Sequence, residues 1–340
     1  MDPHDPLDQF THLSYYTSHF MDPLVWQPYV ERVCKLHGFN ARHIQPGLPG
    51  TYPTFIISVD SEGTHTSIHN VVVKFFGPLF DGAGAFAIEK AVSLTLALHP
   101  LNIPSPNILA QGQIADEWSY LVFEYIPGVS LGQARAHLSP EALLELAVQM
   151  GTYLHELHKI TTKFQSIGRT LGQAITWERF SDFIEKQISQ CVANHQQWND
   201  LPVHLLEQLP AYLLPMEELI DLDAPPHLIH ADLTADHVLG TQRCAGWHTL
   251  AIIDWGDARL GNILYELVAL HLDLFHSDVR LLQACLDTYH LPDFYQHEFP
   301  HKAFNMVLLH QFPMPAEVYA PHNHVASLDE LAERLFGIET

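Results

Sequence analysis

The pattern of apolar residues changes near residue 125, and this change limits the chain to folds that join a sheet to a helical part. Before it, β-branched and aromatic runs at 44–60, 66–76 and 118–131 are separated by Gly, Pro and polar turns, as in antiparallel strands. After it, apolar residues recur every three or four positions, as in LLELAVQMGTYLHELH at 143–158, which is typical of amphipathic helices. The sequence therefore predicts an α+β fold.

This fold is expected to have two lobes. Residues 1–125 are predicted to form an N-terminal lobe with a mainly antiparallel sheet plus helix, and residues 126–340 a mainly helical C-terminal lobe. The only strand candidates after the boundary are HVLG at 237–240 and LAIID at 250–254, which are expected to form a small hairpin. The predicted helices are at 22–37, 85–99, 143–157, 176–195, 202–220, 262–274, 278–289 and 301–310.

Charge and composition restrict the partners. The net charge of −23, from 39 acidic and 16 basic residues, argues against nucleic acid and favours a cationic substrate. No run of about 18 apolar residues suggests a membrane span, and the start MDPHDPLDQF lacks the features of a signal peptide. Four scattered cysteines suggest no disulfide framework. We expect a cytoplasmic protein that is a monomer or a weak dimer.

Two acidic residues lie in motifs that suit phosphate chemistry. Asp232 lies in the polar loop HADLTADH (230–237), and Asp254 ends the apolar strand LAIID. One carboxylate could hold Mg²⁺ while the other orients and deprotonates a hydroxyl. Upstream, Lys74 lies in the strand VVVKFF, and Glu89 follows in the helix AFAIEKAV, a pair that could present an ammonium group to phosphates. Taken singly, each residue is as readily explained as exposed surface or a structural turn.

Taken in chain order, these motifs resemble the aminoglycoside phosphotransferases of the protein-kinase-like superfamily. The resemblance spans about residues 40–275 and is closest to hygromycin B phosphotransferase. It rests on the Lys74 strand, Glu89, the hinge FEYIPGVSL (123–131), HAD with its five-residue step to His237, TWERF (176–180), IIDWGDA (252–258) and YELV (265–268).

The resemblance implies an enzyme that moves the γ-phosphate of ATP or GTP to a hydroxyl of a small, cationic, aminoglycoside-like molecule. Asp232 would accept the hydroxyl proton, and His230 would brace the catalytic loop. Asp254 would bind Mg²⁺. Nucleotide contacts are implied for Lys74 held by Glu89, for the loop glycines Gly47 and Gly50, and for the hinge residues Glu124, Tyr125 and Ile126.

Three departures from the family pattern matter for function. His237 stands where the family has an asparagine that shares the metal, and an imidazole suits Mn²⁺ better than Mg²⁺. Gly261-Asn262 and Glu266 replace the family's Gly-Asp-Pro and later aspartate. A catalytically weak nucleotide-binding pseudokinase is therefore an alternative, and so is a kinase of a small endogenous metabolite.

The acceptor is expected to meet acidic residues of the C-terminal lobe, such as Glu178, Asp182, Asp273 or Asp278. A dinucleotide-binding protein is a further alternative, because GAGAFA at 82–87 fits G-x-G-x-x-A. That motif requires its first glycine to follow a strand at once within a βαβ unit, and here GPLFD intervenes. The sequence therefore disfavours this reading.

Overall fold

A computed structural model of the chain describes residues 6–60, 70–160, 177–244 and 246–338. The chain divides into two compact units. The first comprises Met1–Pro100, Pro104–Pro127 and Ala251–Asp257, and the second comprises Leu101–Ile103, Gly128–Leu250 and Ala258–Thr340. An antiparallel sheet in the first unit and many helices in the second confirm the predicted α+β, kinase-like fold.

The first unit is built on a five-stranded sheet in the order β1-β2-β3-β5-β4, in which every pair of neighbours is antiparallel. The strands are β1 (Asn40–Pro46), β2 (Thr54–Asp60), β3 (Asn70–Phe76), β4 (Ile108–Ala115) and β5 (Trp118–Glu124). Helices Pro6–Gln9, Leu13–His19 and Pro23–Leu36 precede the sheet, and helix Gly82–Leu98 follows β3. β2 and β3 pair antiparallel, as predicted for the runs at 44–60 and 66–76, and the residues 61–69 that join them lie outside the described residues.

Side chains of β3 alternate between two cores. Val73 and Phe75 are fully buried in a cluster that includes Trp26 of helix Pro23–Leu36. Phe76 belongs to a second cluster, with Ala85 of helix Gly82–Leu98. Because successive residues of a strand point to opposite faces, Lys74 lies on the same face as Phe76.

The glycines of GAGAFA lie at the tightly packed start of helix Gly82–Leu98, where there is no room for a side chain. Asp81, in a left-handed conformation with φ of 54°, caps this helix by accepting a hydrogen bond from the Gly84 N–H. A Cβ atom on Gly84 would collide with the Asp81 carboxylate, and one on Gly82 would collide with the Gly77 carbonyl. The strand before this helix has only antiparallel neighbours, so the dinucleotide-binding alternative is wrong.

The second unit is mainly helical. Its long helices are Pro140–Lys159, Trp177–Trp198, Val279–Tyr289, Phe299–Leu308 and Leu328–Phe336, and helix Ile263–Ala269 continues as a π-helical turn at Leu270–Leu274. The single helix predicted at 202–220 is wrong: the segment forms Val203–Leu206, Leu209–Tyr212 and Met216–Leu219. Pro202 and Pro215 come immediately before two of these short helices. A proline is tolerated at the start of a helix but interrupts one that would continue through it. Within the described residues, no helix is long and apolar enough to cross a membrane.

Short strands hold the polar loop of the second unit. Strand β7 (His227–Ile229) pairs antiparallel with β10 (Arg259–Gly261), and a second small sheet has the order β6-β8-β9. Its strands are β6 (Val129–Ser130), β8 (Val238–Arg243) and β9 (Gly246–Ile252). The adjacent β8 and β9 match the predicted hairpin. The loop HADLTADH therefore runs from the end of β7 to the start of β8.

Candidate functional site

The first unit contains a buried group of one ammonium and two carboxylates. Strand β3 supplies Lys74, helix Gly82–Leu98 supplies Glu89, and the segment after β9 supplies Asp254. The Lys74 Nζ lies 2.7 Å from the Glu89 Oε2 and 2.7 Å from the Asp254 Oδ1. The side chains of Lys74 and Glu89 are 6% and 4% exposed, whereas that of Asp254 is 30% exposed. The structure thus brings together three residues that the sequence singled out.

The electrostatics of this group keep the lysine charged. Burial by itself would lower the pKa of Lys74, but the carboxylates of Asp254 and Glu89 outweigh it and raise this pKa above its usual value. An ammonium that makes two charge-assisted hydrogen bonds is also fixed in position. Lys74 is therefore a permanently charged, oriented donor, as contact with a nucleotide phosphate requires.

Asp254 has the properties of a magnesium ligand. Its carboxylate offers hard oxygen atoms, which Mg²⁺ prefers, and its partial exposure leaves it accessible. Its backbone is left-handed, with φ of 64°, an uncommon conformation for a non-glycine residue. In the described part of the chain, no cluster of three or more His, Cys, Asp or Glu side chains could hold a metal. One carboxylate nevertheless fits Mg²⁺, which in kinase-like sites is completed by phosphates and water.

In the second unit, a buried carboxylate holds the start of the HADLTADH loop. Ala231 is left-handed, with φ of 65°, and its N–H donates to the Glu266 Oε2 at 2.9 Å. The backbone N–H of His230 also contacts this carboxylate. His230 and Glu266 are fully buried, whereas the side chain of Asp232 is 42% exposed. The loop therefore presents Asp232 outward from a fixed base.

Further contacts fasten the rest of the loop. The Ala235 N–H donates to the Asp273 Oδ1 at 2.7 Å, in the π-helical turn. The Ser130 hydroxyl donates to the Asp236 Oδ1 at 2.8 Å. A loop anchored through several backbone and side-chain hydrogen bonds can hold a reacting group in one orientation.

His237, the predicted metal ligand, is engaged within the loop. Its Nδ1 lies 2.6 Å from the Asp232 carbonyl oxygen, to which it must donate, and 3.1 Å from the Thr234 hydroxyl. Its ring also stacks on that of His230, with centroids 5.6 Å apart. Because Nδ1 carries the proton in this arrangement, any metal would have to bind through Nε2. Metal binding by His237 stays a prediction.

A cavity of about 680 Å³ in the second unit includes Asp232 and Thr234 in its wall. Of the acids expected to meet the acceptor, Asp273 lines this cavity. Asp278 instead caps helix Val279–Tyr289 and pairs with Arg280, and the exposed Asp182 is not among the described lining residues. The side chain of Glu178 lies outside the described residues.

The other predicted nucleotide contacts lie in the first unit, at the ends of strands. Gly47, at the end of β1, donates its N–H to the Thr54 carbonyl, and a Cβ on Gly50 would meet nothing within 4 Å. The Glu124 carboxylate accepts two hydrogen bonds from Asn107, each 2.9 Å long. The Glu124 N–H donates to the Asn107 carbonyl. The backbone N–H of Glu124 is therefore already engaged.

The hydrogen bonds that Glu266, Asp273 and Ser130 make to the loop were not predicted from the sequence. One signal was available for Glu266, because it is the single acid in the otherwise apolar helix ILYELVA. A charged residue in such a run is buried only when something pairs with it. Asp273 and Ser130 gave no comparable signal.

Glu266→Gln is expected to change how stability depends on pH. Burial raises the pKa of Glu266 to about 7; hydrogen bonds from Ala231 and His230 oppose this shift, and the charge of Asp232 adds to it. The folded chain thus holds the Glu266 proton more tightly than the unfolded chain, in which the pKa of this carboxyl is near 4.5. This difference stabilises the folded protein fully below about pH 4.5, and the stabilisation is lost as the pH rises through about 7 and Glu266 ionises.

Glutamine cannot ionise, so the variant should gain stability relative to the wild type as the pH rises. The gain should be on the order of 3 kcal/mol between about pH 4.5 and pH 8, measured as the free energy of unfolding in urea. Glu207→Gln, at an exposed glutamate, is the matched control and should show no such trend. Parallel pH profiles for wild type and Glu266→Gln would contradict the expectation.

Comparison with known families gives one long match. The profile of the phosphotransferase enzyme family matches residues 62–299, which is most of the chain. This range includes the lysine group and the HADLTADH loop. A curated relative, the lysine-specific demethylase JMJ21 of Arabidopsis thaliana, is 22% identical over 206 residues. That match covers 52% of this chain. The chain spans only 22% of the length of this relative.

Solved structures with the same fold are aminoglycoside phosphotransferases. The GDP complex of aminoglycoside 2'-phosphotransferase-IIIa is 19% identical, with a TM-score of 0.64 over 91% of this chain and 96% of that one. The GDP and kanamycin complex of APH(2")-IIIa is 18% identical, with a TM-score of 0.63 over 84% and 89% of the two chains. A thermostable APH(4)-Ia mutant with ADP and hygromycin B is 15% identical, with a TM-score of 0.50 over 90% and 96%.

Proposed function

The chain belongs to the phosphotransferase enzyme family, and from this premise we propose that it moves the γ-phosphate of ATP or GTP to a hydroxyl group of a small cationic molecule. The observation that carries the proposal is the Lys74 group, in which one ammonium is fixed by two carboxylates at 2.7 Å. Such an arrangement suits phosphoryl transfer, where catalysis is mostly positioning and charge stabilisation.

In this proposal, residues of the first unit bind the nucleotide. Lys74, oriented by Glu89, contacts the phosphates, and Asp254 holds Mg²⁺. When bound, Mg²⁺ neutralises charge on the phosphate oxygens. Gly50, which has open space where a Cβ would stand, allows the backbone of its loop to approach phosphates closely, and Gly47 fixes that loop to β2.

The adenine or guanine base is proposed to bind the hinge segment Glu124–Ile126. Backbone groups of Tyr125 and Ile126, with the carbonyl of Glu124, are the proposed contacts. Solved proteins with this fold bind GDP or ADP, and an assay of nucleotide turnover with ATP and with GTP decides between the two. In this view residues 1–125 form the nucleotide-binding lobe, and residues 126–340 form the catalytic and acceptor-binding lobe.

Asp232 is proposed to orient the acceptor hydroxyl and accept its proton as the oxygen attacks the γ-phosphate. Its half-exposed carboxylate lines the 680 Å³ cavity of the second unit, which gives a small molecule access to it. His230, buried at the start of the loop and stacked on His237, braces the segment that carries Asp232. A positioned carboxylate suffices, because phosphoryl transfer requires orientation more than a strong base.

The acceptor is proposed to be cationic, as in the kanamycin and hygromycin B complexes of proteins with this fold. An aminoglycoside-like antibiotic and an endogenous hydroxylated amine both fit this description. A catalytically weak pseudokinase is the alternative from another class of function, and the departures at His237, Gly261-Asn262 and Glu266 favour it.

The assay that tests the proposal measures release of ADP or GDP with and without hydroxylated amines. We expect release to require Mg²⁺ or Mn²⁺ and to rise severalfold when an acceptor is present. Nucleotide binding without any acceptor-stimulated release across a broad panel would support the pseudokinase alternative instead.

His237→Ala is expected to shift the metal preference of the enzyme. If the imidazole Nε2 binds the second ion, the wild type should turn over faster with Mn²⁺ than with Mg²⁺, since nitrogen ligands suit Mn²⁺ better. The alanine variant should then lose that preference, whereas His237→Asn should favour Mg²⁺. Steady-state turnover with each metal checks this. An unchanged metal preference in His237→Ala would leave the residue with its hydrogen-bonding role alone.

A further inference from the structure

The wall of the cavity beside Asp232 is mainly apolar. Ten of its 18 lining residues have apolar side chains. Among them, Phe312 is 61% exposed, while Met314 and Val318 are 5% and 8% exposed. An uncovered aromatic ring in a concave wall is a typical contact for the apolar part of a ligand. The cavity therefore offers a surface that a purely polar, highly charged acceptor would not use.

A fixed positive charge stands behind one part of this wall. The Arg259 guanidinium lies 5.1 Å from the ring centroid of Phe183 and 5.4 Å from that of Tyr265. The Tyr265 ring in turn lies 5.2 Å from that of the lining residue His310. Burial lowers the pKa of His310 to about 4, and Arg259 acts in the same direction. This histidine is therefore neutral near pH 7 and adds no positive charge to the wall.

Two further lining histidines also have an arginine beside them. Burial lowers the pKa of His276 and of His322, and the nearby Arg135 and Arg334, respectively, lower it further. Arg135 donates to two backbone carbonyls, at 2.6 and 3.1 Å, and Arg334 pairs with Glu330. All three lining histidines thus add little positive charge to the wall.

Few carboxylates in the cavity wall remain to bind the ammonium groups of an acceptor. The lining carboxylates are those of Asp232, Asp273 and Glu317, and the proposed function assigns Asp232 to the hydroxyl. Asp273 already accepts the Ala235 N–H with one oxygen, although a carboxylate can accept more than one hydrogen bond. Glu317 is exposed. Two carboxylates, one of them already shared with a backbone N–H, suit one ammonium group better than the several of a polyamine sugar.

Resting on the proposed function, we infer that the acceptor is a hydroxylated amine with a single ammonium group and an apolar ring or chain. Its hydroxyl meets Asp232, the carboxylates of Asp273 and Glu317 balance its ammonium, and its apolar body packs on Phe312. Polycationic sugars are poor acceptors on this account.

Four probes separate these features. They are 2-amino-1-phenylethanol, with one ammonium and an aromatic ring; ethanolamine, which lacks the ring; 1-phenyl-1,2-ethanediol, which lacks the charge; and the polycation kanamycin. We expect kcat/KM for 2-amino-1-phenylethanol to exceed each of the others by about tenfold or more, the usual effect of one missing pocket contact. A value for kanamycin or ethanolamine equal to or above it would overturn the inference.

Phe312→Ala tests the apolar contact directly. It should lower kcat/KM for 2-amino-1-phenylethanol by about tenfold while leaving the KM for nucleotide and the turnover of ethanolamine unchanged. Leu222→Ala is the matched control, since Leu222 is 52% exposed and is not among the described lining residues. An equal loss for both amines in Phe312→Ala would show a general structural effect and would overturn the inference.

The affinities of the four probes for the wild-type protein without nucleotide, measured by calorimetry, test the inferred ligand class independently of phosphoryl transfer. The same order of affinity with no diphosphate release for any probe would support the inferred ligand class and reject the transferase. Diphosphate release and tight binding with kanamycin alone would support the transferase and reject the ligand class.

Discussion

Asp232→Asn is expected to bind nucleotide as the wild type does and to lose about two to four orders of magnitude in phosphoryl transfer, the usual range for removal of a general base. Asparagine keeps the shape of the side chain and an oxygen that can accept the acceptor's hydrogen bond. It cannot take the proton as the hydroxyl oxygen attacks. The loss should therefore appear in kcat, with little change in the KM for nucleotide.

The loop around Asp232 makes this variant a clean test. Its backbone is held by Glu266 at Ala231 and by Asp273 at Ala235, contacts that the substitution leaves in place. Asp223→Asn, at an exposed aspartate outside the loop, is the control and should keep full turnover. Steady-state kinetics with nucleotide binding measured by calorimetry decide the matter, and an Asp232→Asn enzyme of near wild-type kcat would remove Asp232 from the proposed role.

Lys74→Met is expected to destabilise the protein by about 3–5 kcal/mol, because it leaves buried carboxylates without their cation. The Glu89 side chain is only 4% exposed, and both it and Asp254 lie 2.7 Å from the lysine nitrogen. Methionine fills a similar volume, so the loss arises mainly from uncompensated charge. Nucleotide affinity should also fall about tenfold or more, as expected when a charge-assisted hydrogen bond is removed.

The double variant Lys74→Met/Glu89→Leu should recover much of this stability without recovering nucleotide affinity. Replacing a whole buried ion pair by apolar side chains is often nearly neutral, whereas removing one partner is not. Lys302→Met is the control for loss of a buried lysine, since the Lys302 ammonium donates to a backbone carbonyl, that of Phe294. Urea unfolding of the variants measures these differences. A single Lys74 variant as stable as the double variant would contradict the account.

The sheet could be predicted because its signals are local. Alternation in TFIISVD and VVVKFF places Phe55, Ile57, Val73 and Phe75 on one buried face, and period-2 spacing is readable from the sequence alone. The start of helix Gly82–Leu98 could not be understood in the same way. Its glycines are required by close approaches to the Asp81 carboxylate and the Gly77 carbonyl, which depend on how the backbone turns between β3 and the helix.

The Lys74–Glu89 pair of the candidate site was predicted from the sequence, but the other contacts of that site were not. Lys74, Glu89 and Asp254 could be proposed from motif order, yet the pairing of Lys74 with Asp254 joins residues 180 positions apart. The hydrogen bond from the His237 Nδ1 to the Asp232 carbonyl could not be predicted either, because it depends on the shape of the turn between them. Hydrogen bonds between distant or turn-bound residues depend on backbone geometry, and one-dimensional spacing does not determine that geometry.

The most direct test of the account follows the γ-phosphate itself. Nucleotide labelled with ³³P at the γ position is incubated with Mg²⁺, the protein and a hydroxylated amine, and the products are separated. The account predicts label in a phosphate ester of the acceptor, formed in step with the nucleoside diphosphate and nearly abolished in Asp232→Asn. Label recovered only as inorganic phosphate, or remaining on the nucleotide with every acceptor, would contradict it.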